Sequence, residues 1–347
     1  MINYSIVKNS GQHVTCVIAL KSWRTNLQIS IDAARQLAET FLTTSGMSAT
    51  DASVIADILL EAELRGRKTH GFIRLPGIRS RYEQGKRSKI QVDKEEGQCI
   101  RVDGGNQPGY LVAYRAMELA IERAKRTGAS ICGVYNTSHC GMAGYYVDMA
   151  RKKDLIGILF ADCLPRITPE GGTEAILGTN PIAVGIPSNK TPLLFDMSTA
   201  AITNGDLLVA MRENTSIPEG LAFNPEGEPT TDAEQALKGS ARPFGGHKGF
   251  GLALITQILA GALVNAATIP SPGTNYGLLL IVLDPAVFVP LEQFKTEVDS
   301  LIDRIKANRR EAGVEEILVP GQRAYRQREI YLKSGIDLDD TLVNQLK

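Results

Sequence analysis

Three of the four histidines, His70, His139 and His247, fall in polar or glycine-rich turns and not inside apolar helices or strands. An imidazole placed there is open to a substrate and changes charge near neutral pH, which proton transfer requires. For each histidine alone, a merely exposed side chain is the competing reading. His139 sits in Asn136-Thr137-Ser138-His139-Cys140-Gly141-Met142-Ala143-Gly144, after a predicted strand at 130–135 and before a predicted helix. That position is the carboxyl edge of a strand, where α/β proteins bind ligands. The glycines would let a ligand approach closely, and the free N–H groups of the next helix would suit anionic oxygens. A tight turn that happens to carry one polar residue fits the spacing equally well.

Arg74 lies four residues after His70 and can grip a carboxylate through two parallel hydrogen bonds, a geometry lysine lacks. A surface arginine is the alternative, and its neighbours Arg65, Arg67, Lys68 and Arg79 read as a solvated face. Gly246-His247-Lys248-Gly249 opens an apolar helix and suggests an anion or ribose site using the Lys248 charge and the helix dipole. The other reading is that these glycines only let the helix pack closely. The segment lacks the spacing and ending of a P-loop, so nucleotide triphosphate hydrolysis has no support. No G-x-G-x-x-G, G-x-S-x-G, H-E-x-x-H or clustered Cys/His set occurs, which counts against a conventional dinucleotide fold, a serine hydrolase and a zinc enzyme. No metal ligand is assigned.

The elements that position these residues alternate. Ser30 leads into helical spacing at Ala34, Leu37, Ala38, Phe41 and Leu42, and Ser48 and Asp51 can cap a second helix that runs out near Gly66. These two helices deliver Thr69 to Arg74. Beyond residue 100 the spacing predicts an α/β rhythm: a strand near 99–102, a helix at 111–126, the strand at 130–135, a helix at 144–153, and strands at 156–161, 181–186 and 192–196. A polar connection at 215–245 precedes a helix at 250–264, a strand at 278–283 and a helix at 291–308. A weak strand pattern at Val14–Leu20 opens the chain.

At 347 residues the chain suits two lobes. Lysine plus arginine equals aspartate plus glutamate at 38 each with no long block of one sign, which discounts nucleic acid as a partner. The apolar stretch 252–264 is shorter than the roughly 20 residues of a bilayer crossing, so no membrane is expected. Five scattered cysteines without a C-x-x-C pair fit a reducing cytoplasm better than a disulfide framework.

Taken together the motifs resemble the type 2 malate/L-lactate dehydrogenase family, which takes in ureidoglycolate and sulfolactate dehydrogenases, 2,3-diketogulonate reductase and piperideine-2-carboxylate reductase. The carriers are Thr69-His70-Gly71 with Arg74, the His139 segment, Leu177-Gly178-Thr179-Asn180-Pro181, Phe195-Asp196-Met197-Ser198, Pro229-Thr230-Thr231-Asp232, Gly245-Gly246-His247-Lys248-Gly249 and Val319-Pro320-Gly321-Gln322. The resemblance spans residues 28–345. It implies an α/β, non-Rossmann NAD(P)-binding fold with a mixed sheet and a helical lobe formed by the N- and C-terminal segments. The expected division is an extension at 1–27, a helical, substrate-side lobe from 28–100 and 285–347, and a cofactor domain at 101–284. It also implies a homodimer.

By the same resemblance His139 is the proton donor and acceptor, Arg74 grips the substrate carboxylate, and His70 and Thr69 complete the catalytic group. His139, Cys163, Asp196, Met197, Ser198, His247, Lys248, Pro320, Gly321 and Gln322 match cofactor-contacting positions, the cofactor being NAD or NADP with NADPH favoured. The implied reaction moves a hydride between nicotinamide and C2 of a small 2-oxo or 2-hydroxy acid. Reduction of a cyclic imino acid is the alternative, and an inactive binding protein is a third reading, against which His70, Arg74, His139 and Lys248 all argue. Three positions depart from the family pattern. Thr69 replaces the usual serine, Cys163-Leu164 replaces a polar pair, and the segment 265–276 is short and lacks a substrate-contacting arginine. The short wall suggests a substrate larger than lactate or malate, or one that is not a dicarboxylate.

Overall fold

In a computed structural model, which describes residues 26–272 and 275–347, the two capping serines act as expected. After strand β1 (Asn26–Ile29), Ser30 accepts the Ala33 N–H to begin α1 (Ile31–Thr43), and Ser48 accepts the Asp51 N–H to begin α2 (Ala49–Leu64). Two 3₁₀ turns, Lys68–His70 and Phe72–Arg74, then lead into α3 (Leu75–Gln84). The strand pattern at Val14–Leu20 lies outside the described residues.

A βαβ unit follows: β2 (Gln91–Glu96) and β3 (Cys99–Asp103) form a hairpin, and α4 (Gly109–Thr127) carries the chain to β4 (Ala129–Thr137), which pairs with β3 in parallel. The expected lobe boundary at 100–101 thus falls within β3. α5 (Ala143–Arg151), β5 (Ile156–Ala161), β6 (Ile182–Ile186) and β7 (Leu193–Met197) come next. The expected polar connection at 215–245 contains more structure than its composition suggests. After α6 (Asn204–Glu213), the short strands β8 (Ala222–Phe223), β9 (Pro229–Thr230) and β10 (Ser240–Ala241) form a three-stranded sheet with α7 (Ala233–Lys238). A second apolar cluster that includes Ile167, Leu177, Ile202, Leu207 and Ile217 packs there.

The predicted helix at 250–264 begins earlier and ends sooner, as α8 (His247–Ala260), because Gly246 takes a positive φ of 61° before it and Gly261 breaks it into a 3₁₀ turn at Ala262–Val264. Residues 247–264 are apolar and long enough to suggest a membrane crossing, with a mean hydropathy of 1.3. The continuous α-helix covers only 14 residues, against roughly 20 for a bilayer, and it lies on β5 and β11 (Tyr276–Leu283). The chain closes with α9 (Leu291–Lys306), α10 (Gln322–Ser334), β12 (Ile336–Asp339), which pairs with β1, and α11 (Asp340–Leu346).

The main sheet has the order β2-β3-β4-β11-β5-β6-β7, mixed as expected. Register explains its two faces. Leu278, Leu280 and Val282 of β11 lie in the large core with Val134, Cys132, Leu159 and Ala161 and the helices α2, α4 and α5. The alternate residues Gly133 and Ile131 face the other way, toward Val264, and Ile131 stays 40% exposed.

Glycine 109 fixes where α4 begins relative to the His139 loop. A Cβ there would lie 2.0 Å from the Ser138 carbonyl oxygen and 2.6 Å from that of His139, while the Gly109 N–H donates to Ser138 Oγ at 3.0 Å. Gly109→Ala should therefore displace the loop, lowering stability in urea by about 1–3 kcal/mol and lowering turnover. An unchanged unfolding midpoint and unchanged kcat would show that the loop yields freely.

Candidate functional site

A cavity of about 810 Å³ opens between α3, the His139 loop, the ends of β5 and β7 and the start of α6, within the range of small-molecule and cofactor sites. It gathers Thr69, His70, Arg74, His139, Cys163, Asp196 and Ser198. The imidazoles of His70 and His139 stand 5.9 Å apart, centroid to centroid, and Tyr110 meets His139 edge-on at 6.0 Å.

Each side chain is held locally. Glu63 of α2 accepts the Phe72 N–H at 2.8 Å, and its carboxyl fills the space a Cβ on Gly71 would need. The turn so pinned places Thr69 Oγ1 3.1 Å from His70 Nδ1, and Arg74 Nε donates to the Thr69 carbonyl at 2.6 Å. Arg74 has no carboxylate partner among the described residues, so its guanidinium is available to an acid from outside the chain. On the other wall, Asn136 adopts a positive φ of 53° and donates its N–H to Asn275 Oδ1 at 2.8 Å, which turns the chain at the end of β4 toward His139.

Burial, then Arg74 and His70, push His139 down to about 3; burial, Arg74 and Arg67 push His70 down to about 4. Both are neutral at pH 7. His139 Nε2 and Tyr110 Oη are buried without a hydrogen-bond partner among the described residues, a condition that a bound polar ligand would relieve. Two buried acids behave oppositely: burial lifts Glu63 to about 7 and Asp162 to about 8. Asp162 accepts the Gly277 N–H at 2.7 Å through Oδ1, and Oδ2 has no partner among the described residues. Sequence reasoning missed Tyr110, Glu63 and Asp162, which no motif singles out.

The remaining expected positions do not line the cavity. Met197 lies on β7, His247 and Lys248 are exposed in the first turn of α8, and Pro320-Gly321-Gln322 forms the turn before α10. The Pro320 turn packs on β7, and the chain just before α8 bonds the chain just after that strand. Leu194 N–H donates to the Pro320 carbonyl at 3.2 Å, Gly321 is left-handed at φ 88° with no room for a Cβ against Leu194, and Phe244 N–H reaches the Thr199 carbonyl at 3.0 Å. Asp196 Oδ2 accepts the Gly144 N–H at 2.7 Å and is raised in pKa by burial. Cys163 Sγ contacts Thr179 Oγ1 at 3.1 Å. Among the described residues no cluster of three or more His, Cys, Asp or Glu could hold a metal ion.

Residues 29–347 match the family described as malate/L-lactate dehydrogenase. The malate/(S)-sulfolactate dehydrogenase of Methanothermus fervidus is 41% identical over 334 residues, covering 92% of this chain and 96% of that protein. The solved sulfolactate dehydrogenase of Methanocaldococcus jannaschii superposes with a TM-score of 0.85 at 37% identity over 92% of this chain and 96% of that one. A Δ1-pyrroline-2-carboxylate/Δ1-piperideine-2-carboxylate reductase of Pseudomonas putida is 28% identical over 94% of this chain and 98% of that protein. The chain belongs to the malate/L-lactate dehydrogenase family and is an oxidoreductase.

The raised Asp162 gives a measurable signature. Its carboxyl ionises near 3.8 when unfolded and near 8 when folded, so its stabilising contribution is complete below about pH 4 and is lost as pH rises to 8. The slope is at most about 1.4 kcal/mol per pH unit. Asp162→Asn should gain on the wild type in urea unfolding between pH 5 and 8. Parallel stability curves over that window would place the folded pKa near its ordinary value.

Proposed function

We propose that the chain transfers a hydride between a nicotinamide cofactor and C2 of a small 2-oxo or 2-hydroxy carboxylic acid. The observation that carries this reading is the convergence, in one cavity, of a neutral buried imidazole whose Nε2 has no partner and a guanidinium that has no carboxylate among the described residues. Arg74 would take the substrate carboxylate in a bidentate pair. His139, neutral at pH 7, accepts the proton from the C2 hydroxyl in the oxidative direction. Because Arg74 is one of the causes of its low pKa, a carboxylate on Arg74 raises the basicity of His139 when substrate is bound. His70, held by Thr69, forms the other side of that proton-transfer wall.

A nicotinamide cofactor fits the residues present. The buried polar atoms on His139 and Tyr110 lack partners, and Cys163, Thr179, Asp196 and Ser198 bring polar groups to the end of the cavity at β7. Bound there, it would supply the hydride. His247 and Lys248, in the first turn of α8 beyond the β7 end, offer a cation and free N–H groups to cofactor phosphates. Either NAD or NADP would use them, and the additional phosphate of NADPH makes it the cofactor we favour. A cyclic imino acid is a second candidate substrate, supported by the reductase 28% identical to this chain, because His139 would serve a C=N nitrogen as it serves an oxygen.

We also place the enzyme in the cytoplasm as a homodimer. The four described cysteines are unpaired. Ile255 and Ile258 of α8 are 53% and 48% exposed, and Leu263 and Ile131 extend that apolar area along the same face of the sheet. A second copy would cover them. Ile255→Asp with Ile258→Asp should then yield monomers in sedimentation velocity, and an unaltered mass would remove α8 from the interface. His139→Ala should lower kcat by about 10²–10⁴-fold while NAD(P)H still binds by fluorescence. Full turnover in that variant would take the proton-transfer role away from His139.

A further inference from the structure

One face of α3, together with the Arg74 residue that precedes it, carries two arginines to the cavity. Arg74, Gly77, Ile78 and Arg81 all line it, the i, i+3, i+4, i+7 spacing of a single helical stripe. Seven residues advance a helix by about 10 Å, so the two guanidiniums flank Ile78. Arg81 is fixed at one corner: Nη2 donates to Asn106 Oδ1 at 2.6 Å, and Asn106, left-handed at φ 55°, donates in turn to the Lys86 carbonyl at 2.9 Å. Its Nε is buried without a partner, and no carboxylate pairs with Arg81 among the described residues. Tyr276, at the end of the short segment 265–276, lines the same cavity and acts electrostatically on Arg81. A partly buried cation with one N–H unsatisfied is completed when an acceptor arrives.

We propose that Arg81 is the specificity residue for a second acidic group on the substrate. A dianionic 2-hydroxy or 2-oxo acid would lie with its C1 carboxylate on Arg74, its carbon chain against Ile78, and its far carboxylate or sulfonate on Arg81. This assignment rests on the hydride-transfer reading above. It replaces the expectation, drawn from the short 265–276 segment, that the substrate is not a dicarboxylate: the charge missing from that segment is supplied from α3.

The test compares kcat/KM of the full-length protein for L-malate, a dianion, with that for L-lactate, a monoanion of the same head group. The wild type should favour malate, and the malate-to-lactate ratio should fall by about 10- to 100-fold in Arg81→Met, the range for hydrogen bonds to a charged group. Arg81→Lys should recover part of the ratio, and melting curves of all three proteins report whether each is folded. A wild type that favours lactate, or a ratio that does not move in the folded variants, would overturn the assignment. Turnover of neither acid would end the hydride-transfer reading instead. In that case calorimetric binding of oxaloacetate against pyruvate decides on Arg81: loss of oxaloacetate binding in Arg81→Met supports it, and absent or undiminished binding overturns it.

Discussion

Among the described residues the Arg74 guanidinium lacks a carboxylate and stands beside two desolvated imidazoles, so burial and its positive charge both oppose protonation there. Arg74 therefore sets the terms for the site. Burial first and its charge second hold His70 and His139 well below the ordinary imidazole range, and its guanidinium has no acid partner among the described residues. The surrounding structure fixes it from behind through one backbone oxygen, the Thr69 carbonyl that takes Nε, and one side chain, the Glu63 carboxyl that anchors the turn.

The rigidity behind that turn comes from a buried ionic network. Arg65 donates to Glu61 and to Asp148, both at 2.7 Å, Tyr325 donates to Asp148 at 2.6 Å, and Arg328 reaches Glu61 at 2.8 Å. These contacts tie α2 to α5 and to α10, which lies 250 residues and more downstream in the chain. Burial works against the charge, but Arg65, Arg151, Lys152 and the Tyr325 hydroxyl together hold the Asp148 carboxyl far below its ordinary value. The network thereby joins the segment that carries His70 and Arg74 to the α5 helix after the His139 loop and to the α10 helix after the Pro320 turn. The packing of β7 against that turn and against Gly144 continues the same connection on the cofactor side.

Much of this was legible where one side chain does one job. Ser30 and Ser48 cap the helices they precede, the apolar run at 156–161 is a strand, and the His139 loop lies at the carboxyl edge of β4. Two of the elements that escaped prediction lack an apolar period. β2 reads Gln-Val-Asp-Lys-Glu-Glu, exposed throughout, and exists through backbone pairing with β3. α10 is polar along most of its length and owes its place to Tyr325 and Arg328. At the site, the motifs gave Thr69, His70, Arg74 and His139, whereas Tyr110, Asp162 and Glu63 matter through three-dimensional neighbours that sequence order conceals. Arg81 was visible in principle, two helical turns after Arg74, but the end of the 3₁₀ turns and the start of α3 had to be known before that spacing meant anything. His247, Lys248 and the Pro320 turn were placed by resemblance alone, and none of them lines the cavity: the turn packs on β7, and the two α8 residues are exposed.

The middle strand of the sheet is the last of its strands to be synthesised. β11 at 276–283 slots between β4 at 129–137 and β5 at 156–161, so for more than a hundred residues of ribosomal output those two strands wait as raw edges. Such edges invite pairing with strangers, and contacts so distant along the chain close slowly. The nascent protein thus passes through its most adhesive stage immediately before completion, and a premature stop near residue 270 would leave a split sheet for chaperones or proteases to clear.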